Sequence, residues 1–185
     1  MFLTIKQKNV GTRKVDLFLM GDIRQSSKYI KRCIEDCLFL LMEEKPFAKI
    51  KVDEICKRAY VGRTSFYRHF QTKEDVLLFS FIRMWQDWCD SHHVEERKKF
   101  TLDNAETFFA YNLSIKNRLD VMYKNKLDTI ILKSFEELMR DESDVHGYET
   151  GFYGYGLFGI LKEWWSRGFR ETSDEVAEIL RAFYK

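Results

Sequence analysis

Between Val52 and Leu77 the chain compresses two short apolar periods, a break and the start of a third period into the stretch VDEICKRAYVGRTSFYRHFQTKEDVL. Val52, Ile55, Cys56 and Ala59 recur at i, i+3, i+4 and i+7, which places them on one buried face of a helix. Tyr60-Val61-Gly62 interrupts the period. Phe66, Tyr67 and Phe70 then resume it, while Arg63, Thr64, Ser65, Arg68 and His69 supply polar reach. Two short helices joined by about three residues form a helix-turn-helix, whose second helix fits the DNA major groove. A single Pro in 185 residues leaves long helices unobstructed elsewhere. The expectation is an all-α chain.

The flanks complete a three-helix unit. Ser26 or Ser27 can cap a first helix running to about Glu44, with Ile30, Cys33, Ile34, Cys37, Leu38 and Leu41 as its buried stripe. Pro46 ends it, and Phe47 and Ile50 are expected to plug the base of the unit. Downstream, Thr72-Lys73-Glu74-Asp75 opens the next helix with a capping-box pattern, Asp75 standing where Glu or Gln is more usual. Lys73 puts a cation where free backbone N–H groups already favour an anion, and a DNA phosphate would satisfy both. Within the second short helix, Phe66 and Phe70 read as core. Thr64 and Ser65 carry short hydroxyls able to reach base edges, Arg63 can reach a phosphate or a guanine, and Arg68 faces outward to either.

The run Phe66-Tyr67-Arg68-His69-Phe70 followed by Lys73-Glu74 resembles the DNA-binding signature of the TetR/AcrR family of bacterial transcriptional regulators, over roughly residues 27 to 79. The resemblance implies that the Tyr67 hydroxyl contacts a phosphate, with His69 either doing likewise or packing. It also implies that the first helix starts close to the DNA backbone, which makes Lys28 a phosphate candidate. Two departures stand out: Tyr60 occupies a place where the family usually has Gly, and Gly62 one where Ser is common. Losing the positive-φ residue predicts a slightly re-registered turn, with Gly62 restoring freedom two residues later. The recognition helix is left with Gly62, Thr64 or Ser65 as its cap.

Charge is divided unevenly. Residues 1–79 carry 16 basic against 10 acidic side chains, and the remainder 15 against 19, as a DNA-facing module joined to a sensing module would need. No run of about 18 apolar residues suggests a membrane span, and the N-terminus lacks a continuous apolar core and a small-residue cleavage site, so a cytoplasmic protein is expected. Residues 1–24 read as a tail that is either not native, Met20 being the natural start, or a basic arm carrying Lys6, Lys8, Arg13 and Lys14. Cys33, Cys37, Cys56 and Cys89 are expected as buried thiols, with redox sensing as the alternative. His92-His93 with Glu95 and Glu96 reads as a polar helix end, because adjacent residues do not share a helix face, so no metal is expected. No cofactor is implied either. The absence of a nucleophile-base pair, a Gly-rich phosphate loop or an HExxH motif argues against an enzyme.

Past Val76 a long aromatic period, Leu77, Phe81, Met84, Trp85 and Trp88, predicts a helix ending near His92. Two or three helices follow over 101–143. Trp85, Trp88, Phe108, Phe109, Met122 and Phe135 are candidates to line a pocket for a small apolar effector, or are simply core. From Gly147 onward, glycines alternate with aromatics. Small residues spaced at three to five let a partner helix approach, and a second amphipathic helix capped by Thr172 or Ser173 follows. As in the family, two such helices from each subunit would form a four-helix dimer interface through Phe152, Tyr155, Gly156, Gly159, Trp164, Ile179 and Phe183.

The chain thus reads as residues 25–78, an N-terminal three-helix helix-turn-helix domain, followed by 79–185, a helical dimerisation and effector domain. The implied protein is a homodimeric, effector-responsive regulator on a near-palindromic double-stranded DNA operator, repression being favoured over activation. A protein-interaction adaptor that has lost DNA binding, with Tyr60 and Gly62 marking the decay, is the alternative.

Overall fold

The computed structural model describes residues 27–94, 100–139 and 146–183, the side chains of residues 146, 149 and 150 excepted. Residues 1–24 and the Glu95-Glu96 pair lie outside this description. The described chain is helical throughout: α1 (Ser27–Glu44), α2 (Val52–Arg58), α3 (Arg63–His69), α4 (Lys73–Ser91), α5 (Ala105–Ser114), α6 (Lys116–Lys124), α7 (Asp128–Met139), α8 (His146–Ser166) and α9 (Ser173–Ala182). Single 3-10 turns at Phe47–Lys49 and Leu102–Asn104 lead into α2 and α5. None of these helices is long and apolar enough to cross a membrane.

Local chemistry sets the boundaries. Thr72 Oγ1 accepts from Asp75 N at 3.1 Å while the Asp75 carboxylate accepts from Thr72 N at 2.8 Å, so the shorter acid closes the capping box. Thr172, rather than Ser173, caps α9 in the same way with Glu175. At α2 the Lys51 N–H donates to Glu54 at 2.9 Å, and Lys45 pairs with the same carboxylate across the loop.

α1 lies across α2, α3 and α4, burying Ile34, Leu38, Phe39, Leu41 and Met42. Phe47 and Ile50 close the base of this unit, and Phe66 and Phe70 fill its centre. Of the four thiols expected in the core, only Cys56 and Cys89 are buried. Cys33 and Cys37 are half-buried because their side of α1 borders an open groove of about 510 Å³ beside the α2–α3 turn, so the expectation of buried thiols fails there.

The larger body is built from pairs: α9 on α5, α8 on α7, and α4 on α7. Its centre is aromatic. Trp85 meets Trp88, Phe108 and Phe135 edge-on at centroid distances of 5.3, 5.5 and 5.7 Å, a geometry that ring quadrupoles favour. Trp164, expected at a dimer interface, is instead 3% exposed inside the protomer, against Phe109 and Phe169, with its indole N–H donating to Glu171 O at 3.0 Å. Its bulk completes the core between α5 and α8. Gly154 is also turned inward, facing α7, where a Cβ would make ordinary contact with Met139 Sδ at 3.6 Å.

Candidate nucleic-acid interface

The α2–α3 turn decides how the second short helix is presented. Val61 N donates to Cys56 O at 3.0 Å and Tyr60 N to Lys57 O, the paired bonds of a Schellman helix end. Tyr60 fills the left-handed position with φ of 54°, where a glycine is usual. The expected re-registration is therefore absent, because Tyr60 adopts the strained conformation itself. Gly62, at φ −73° and ψ 152°, is an extended N-cap without a side-chain hydrogen bond and contributes no positive φ. Strain at Tyr60 is tolerated because its side chain is 96% exposed and meets no steric demand from the core.

On α3, Arg63, Thr64, Tyr67 and Arg68 are exposed and Phe66 is fully buried, so residues at i, i+1, i+4 and i+5 form one outward face. Ser65 and His69 are half-buried at its margins. Arg63 is drawn toward α2 by Asp53, whose carboxylate lies 2.8 Å from the guanidinium, and it stands 6.0 Å from the Tyr67 ring. His69 is held below its ordinary pKa by burial first and by the charges of Lys31 and Arg68 second. At neutral pH it therefore offers a neutral imidazole and not a cation. Lys28 is exposed in the first turn of α1.

Lys73 is more engaged than expected. Its ammonium donates to Phe47 O at 2.6 Å and Ile50 O at 3.0 Å and sits 4.1 Å from the Phe47 ring centre. Two of its three N–H donors thus tie the start of α4 to the α1–α2 loop. Each exposed candidate belongs to α1 or α3, and Lys73 heads α4, so one unit carries all the candidate contact residues.

The family described as bacterial regulatory proteins, tetR family, matches residues 40–78, which include the Schellman turn, the whole of α3 and Lys73. Residues 40–78 thus carry the DNA-binding segment of that family. The chain's N-terminal unit is accordingly that of a DNA-binding transcription regulator. No curated protein matches the chain.

The candidate effector residues divide. Trp85, Trp88, Phe108 and Phe135 line a cavity between α4, α5 and α7, joined there by Tyr111, Asn112, Ile115 and Ser134 among others. Phe109 and Met122 do not line it and are fully buried in the core, which corrects their assignment to a pocket. The cavity measures about 30 Å³. That is room for a water or two, far short of the roughly 300–1,000 Å³ of a ligand site. The close edge-on packing of its aromatic walls is the reason. Among the described residues, the buried Trp88 indole N–H has no hydrogen-bond partner.

Reasoning from sequence missed one polar constellation. Glu35 on α1 is 0% exposed, with Ser80 Oγ donating at 2.8 Å, Arg83 Nε donating at 3.0 Å and Arg118 paired to the same carboxylate. Arg118 also reaches Asp36 at 2.6 Å and stands 4.5 Å from the Phe39 ring centre. Burial pushes the Glu35 carboxyl up, but hydrogen bonding and charge from Arg83, the Ser80 hydroxyl and the charge of Arg118 outweigh it, leaving the group below its ordinary pKa. A signal was present: Leu38, Phe39 and Met42 follow Glu35 at i+3, i+4 and i+7, which puts the acid on the buried stripe.

His92 Nδ1 lies 3.0 Å from Trp88 O and beside Ser91 Oγ, so this ring folds back on the last turn of α4 at the Trp88 carbonyl. Among the described residues no cluster of three or more metal-ligating side chains is present.

Proposed function

We propose that the protein is a cytoplasmic, homodimeric repressor that binds a near-palindromic operator through α3 and is released by an effector. The observation that carries the DNA reading is the outward face of α3, with Arg63, Thr64, Tyr67 and Arg68 exposed together on a helix anchored by Phe66. Thr64 and Ser65 read base edges, the Tyr67 hydroxyl and Lys28 take phosphates, and Arg63 and Arg68 supply charge. Lys73 keeps one N–H for a phosphate after tying down its loop, and His69 supports the same backbone contact as a neutral donor or by packing. The intact Schellman turn favours a working helix-turn-helix over an adaptor that has lost DNA binding.

Dimerisation is supported by an exposed aromatic stripe on α8. Tyr148, Phe152 and Tyr155 are exposed, Phe152 by 69%, and Gly156 and Gly159 leave open space beside them. Ile179 and Phe183, on and just after α9, add to the exposed apolar area. A soluble chain rarely leaves so much aromatic surface bare. Two protomers joined here would present two α3 helices to successive major grooves.

For the effector, a small apolar molecule bearing a hydrogen-bond acceptor suits the aromatic cavity and the unpaired Trp88 N–H, provided the walls part to admit it. Genomic fragments retained by the purified protein, followed by gel shift in increasing salt, test the reading. Retention of a shared palindromic sequence is expected, with log affinity falling by about 0.9 per neutralised phosphate for each tenfold rise in salt. A folded dimer that retains no sequence even at low salt would refute it.

A further inference from the structure

We infer that Arg118 and Asn125 are positioning residues for DNA binding: from the two ends of α6 they fix the angle between the DNA-reading unit and the body. The inference rests on the proposed dimeric DNA-binding reading and goes beyond it by assigning residues that touch no DNA.

Arg118, Leu119, Met122 and Asn125 stand at i, i+1, i+4 and i+7 along α6, so they share one side of it. Leu119 and Met122 are fully buried. At the N-terminal end, Arg118 pairs with Glu35, pairs with Asp36 at 2.6 Å and stands against the Phe39 ring, which are three points on α1. Just past the C-terminal end, the Asn125 side-chain carbonyl accepts from Phe47 N at 2.7 Å, and its amide donates back to Val121 O at 2.9 Å, which fixes the side chain.

The Phe47 carbonyl is in turn held by Lys73 at 2.6 Å. A continuous set of hydrogen bonds therefore runs from α6 through the α1–α2 loop to the first residue of α4. One contact would act as a pivot. Two contacts about two helical turns apart, roughly 10 Å along α6 at 1.5 Å per residue, also set an orientation. In a dimer, that orientation decides how far apart the two α3 helices stand and hence which half-site spacing fits.

The test uses the full-length protein and four duplexes built from its selected operator: the native palindrome, an isolated half-site, and palindromes with one or two extra central base pairs. Each added pair displaces a half-site by about 3.4 Å and turns it by roughly 35°. The wild-type protein should prefer the native spacing at least tenfold. Asn125→Ala and Arg118→Gln should reduce that preference to threefold or less while half-site affinity stays within about twofold. Asn125→Asp retains an acceptor for Phe47 N–H but forfeits the amide bond to Val121 O, so it should restore the preference in part, above that of Asn125→Ala.

Unchanged spacing preference in both variants would overturn the inference alone. So would failure of Asn125→Asp to rescue in part, or an equal loss of half-site binding, which marks general damage to the fold. If Arg118→Gln does not fold, the Asn125 pair decides the matter. Failure of the wild-type protein to bind any of the duplexes would overturn the DNA-binding reading and this inference with it.

Discussion

Replacing Tyr60 with glycine should make the protein more stable, although it removes a large side chain. Tyr60 holds φ of 54°, and the left-handed region disfavours an L-residue by roughly 1–2 kcal/mol. Glycine escapes that penalty but loses more freedom on folding, roughly 0.5–1 kcal/mol. With the side chain 96% exposed, truncation forfeits almost no burial, so these two effects set the balance. A net gain of about 0.5–1 kcal/mol follows, equivalent to a rise in Tm of roughly 1–4 °C for a chain of this size. Tyr60→Ala is the control, because alanine keeps the left-handed penalty and should stay within about 0.5 kcal/mol of the parent. Tyr60→Asn should fall between, since asparagine tolerates this conformation. Urea unfolding followed by circular dichroism, at one protomer concentration because a dimer's midpoint depends on it, gives the ranking. Alanine stabilising as much as glycine would refute the argument, since the gain would then come from losing the side chain and not from relieving the backbone.

Tyr67→Phe should weaken binding to all DNA sequences alike, whereas Thr64→Val should alter the bases selected; an anisotropy titration against a small set of operator variants separates the two. Lys73→Met should lower the salt slope of binding by about 1 if its remaining N–H meets a phosphate, and leave the slope unchanged if it serves the loop alone. Glu35→Gln should destabilise the protein by about 3 kcal/mol, the low end for breaking a buried pair because Arg83 and Arg118 keep Asp87 and Asp36 as partners. Since the folded Glu35 pKa is depressed, its stabilisation is complete above the unfolded value of about 4.3 and is lost as pH falls through the folded one. The urea midpoint of the parent should therefore decline with acid below that value more steeply than that of Glu35→Gln, and parallel declines would count against the carboxylate. Phe152→Glu should shift the protein from dimer to monomer in sedimentation and remove operator binding with it.

Much of the reading unit was legible because its signals are local. The capping box at Thr72 and Asp75, the ends of α1 and α4, and the burial of Phe66 and Phe70 each depend on residues within a turn or two of one another. Tyr60 misled because propensity favours moving the turn, yet the bonds made by Val61 and Tyr60 hold the register at the expense of backbone strain. Lys73 was hard to place because its two carbonyl partners lie 26 and 23 residues earlier, which no local pattern reports. The same limit hid the partners of Glu35. Trp164 shows another limit: an aromatic at helical spacing marks a buried face, but spacing does not distinguish the protomer's own core from a partner's surface. Phe109 and Met122 failed as pocket candidates because spacing likewise does not distinguish a filled core from the wall of a cavity.

The Glu35 cluster also bears on the order in which the protein can be completed during synthesis. The partners of this buried carboxylate lie 48 residues later at Arg83 and 83 residues later at Arg118. At ribosomal rates of about 5–20 residues per second, the interval between Glu35 and Arg118 is roughly 4–17 s. During that time α1 carries an acid on its apolar stripe without the guanidinium that later joins it from α6. Ser80 and Arg83 supply its first bonds from α4, Arg118 adds the last, and a chain stopped at residue 79 lacks all three partners. The segment that matches the family is thus finished by a residue 40 positions beyond the end of the match.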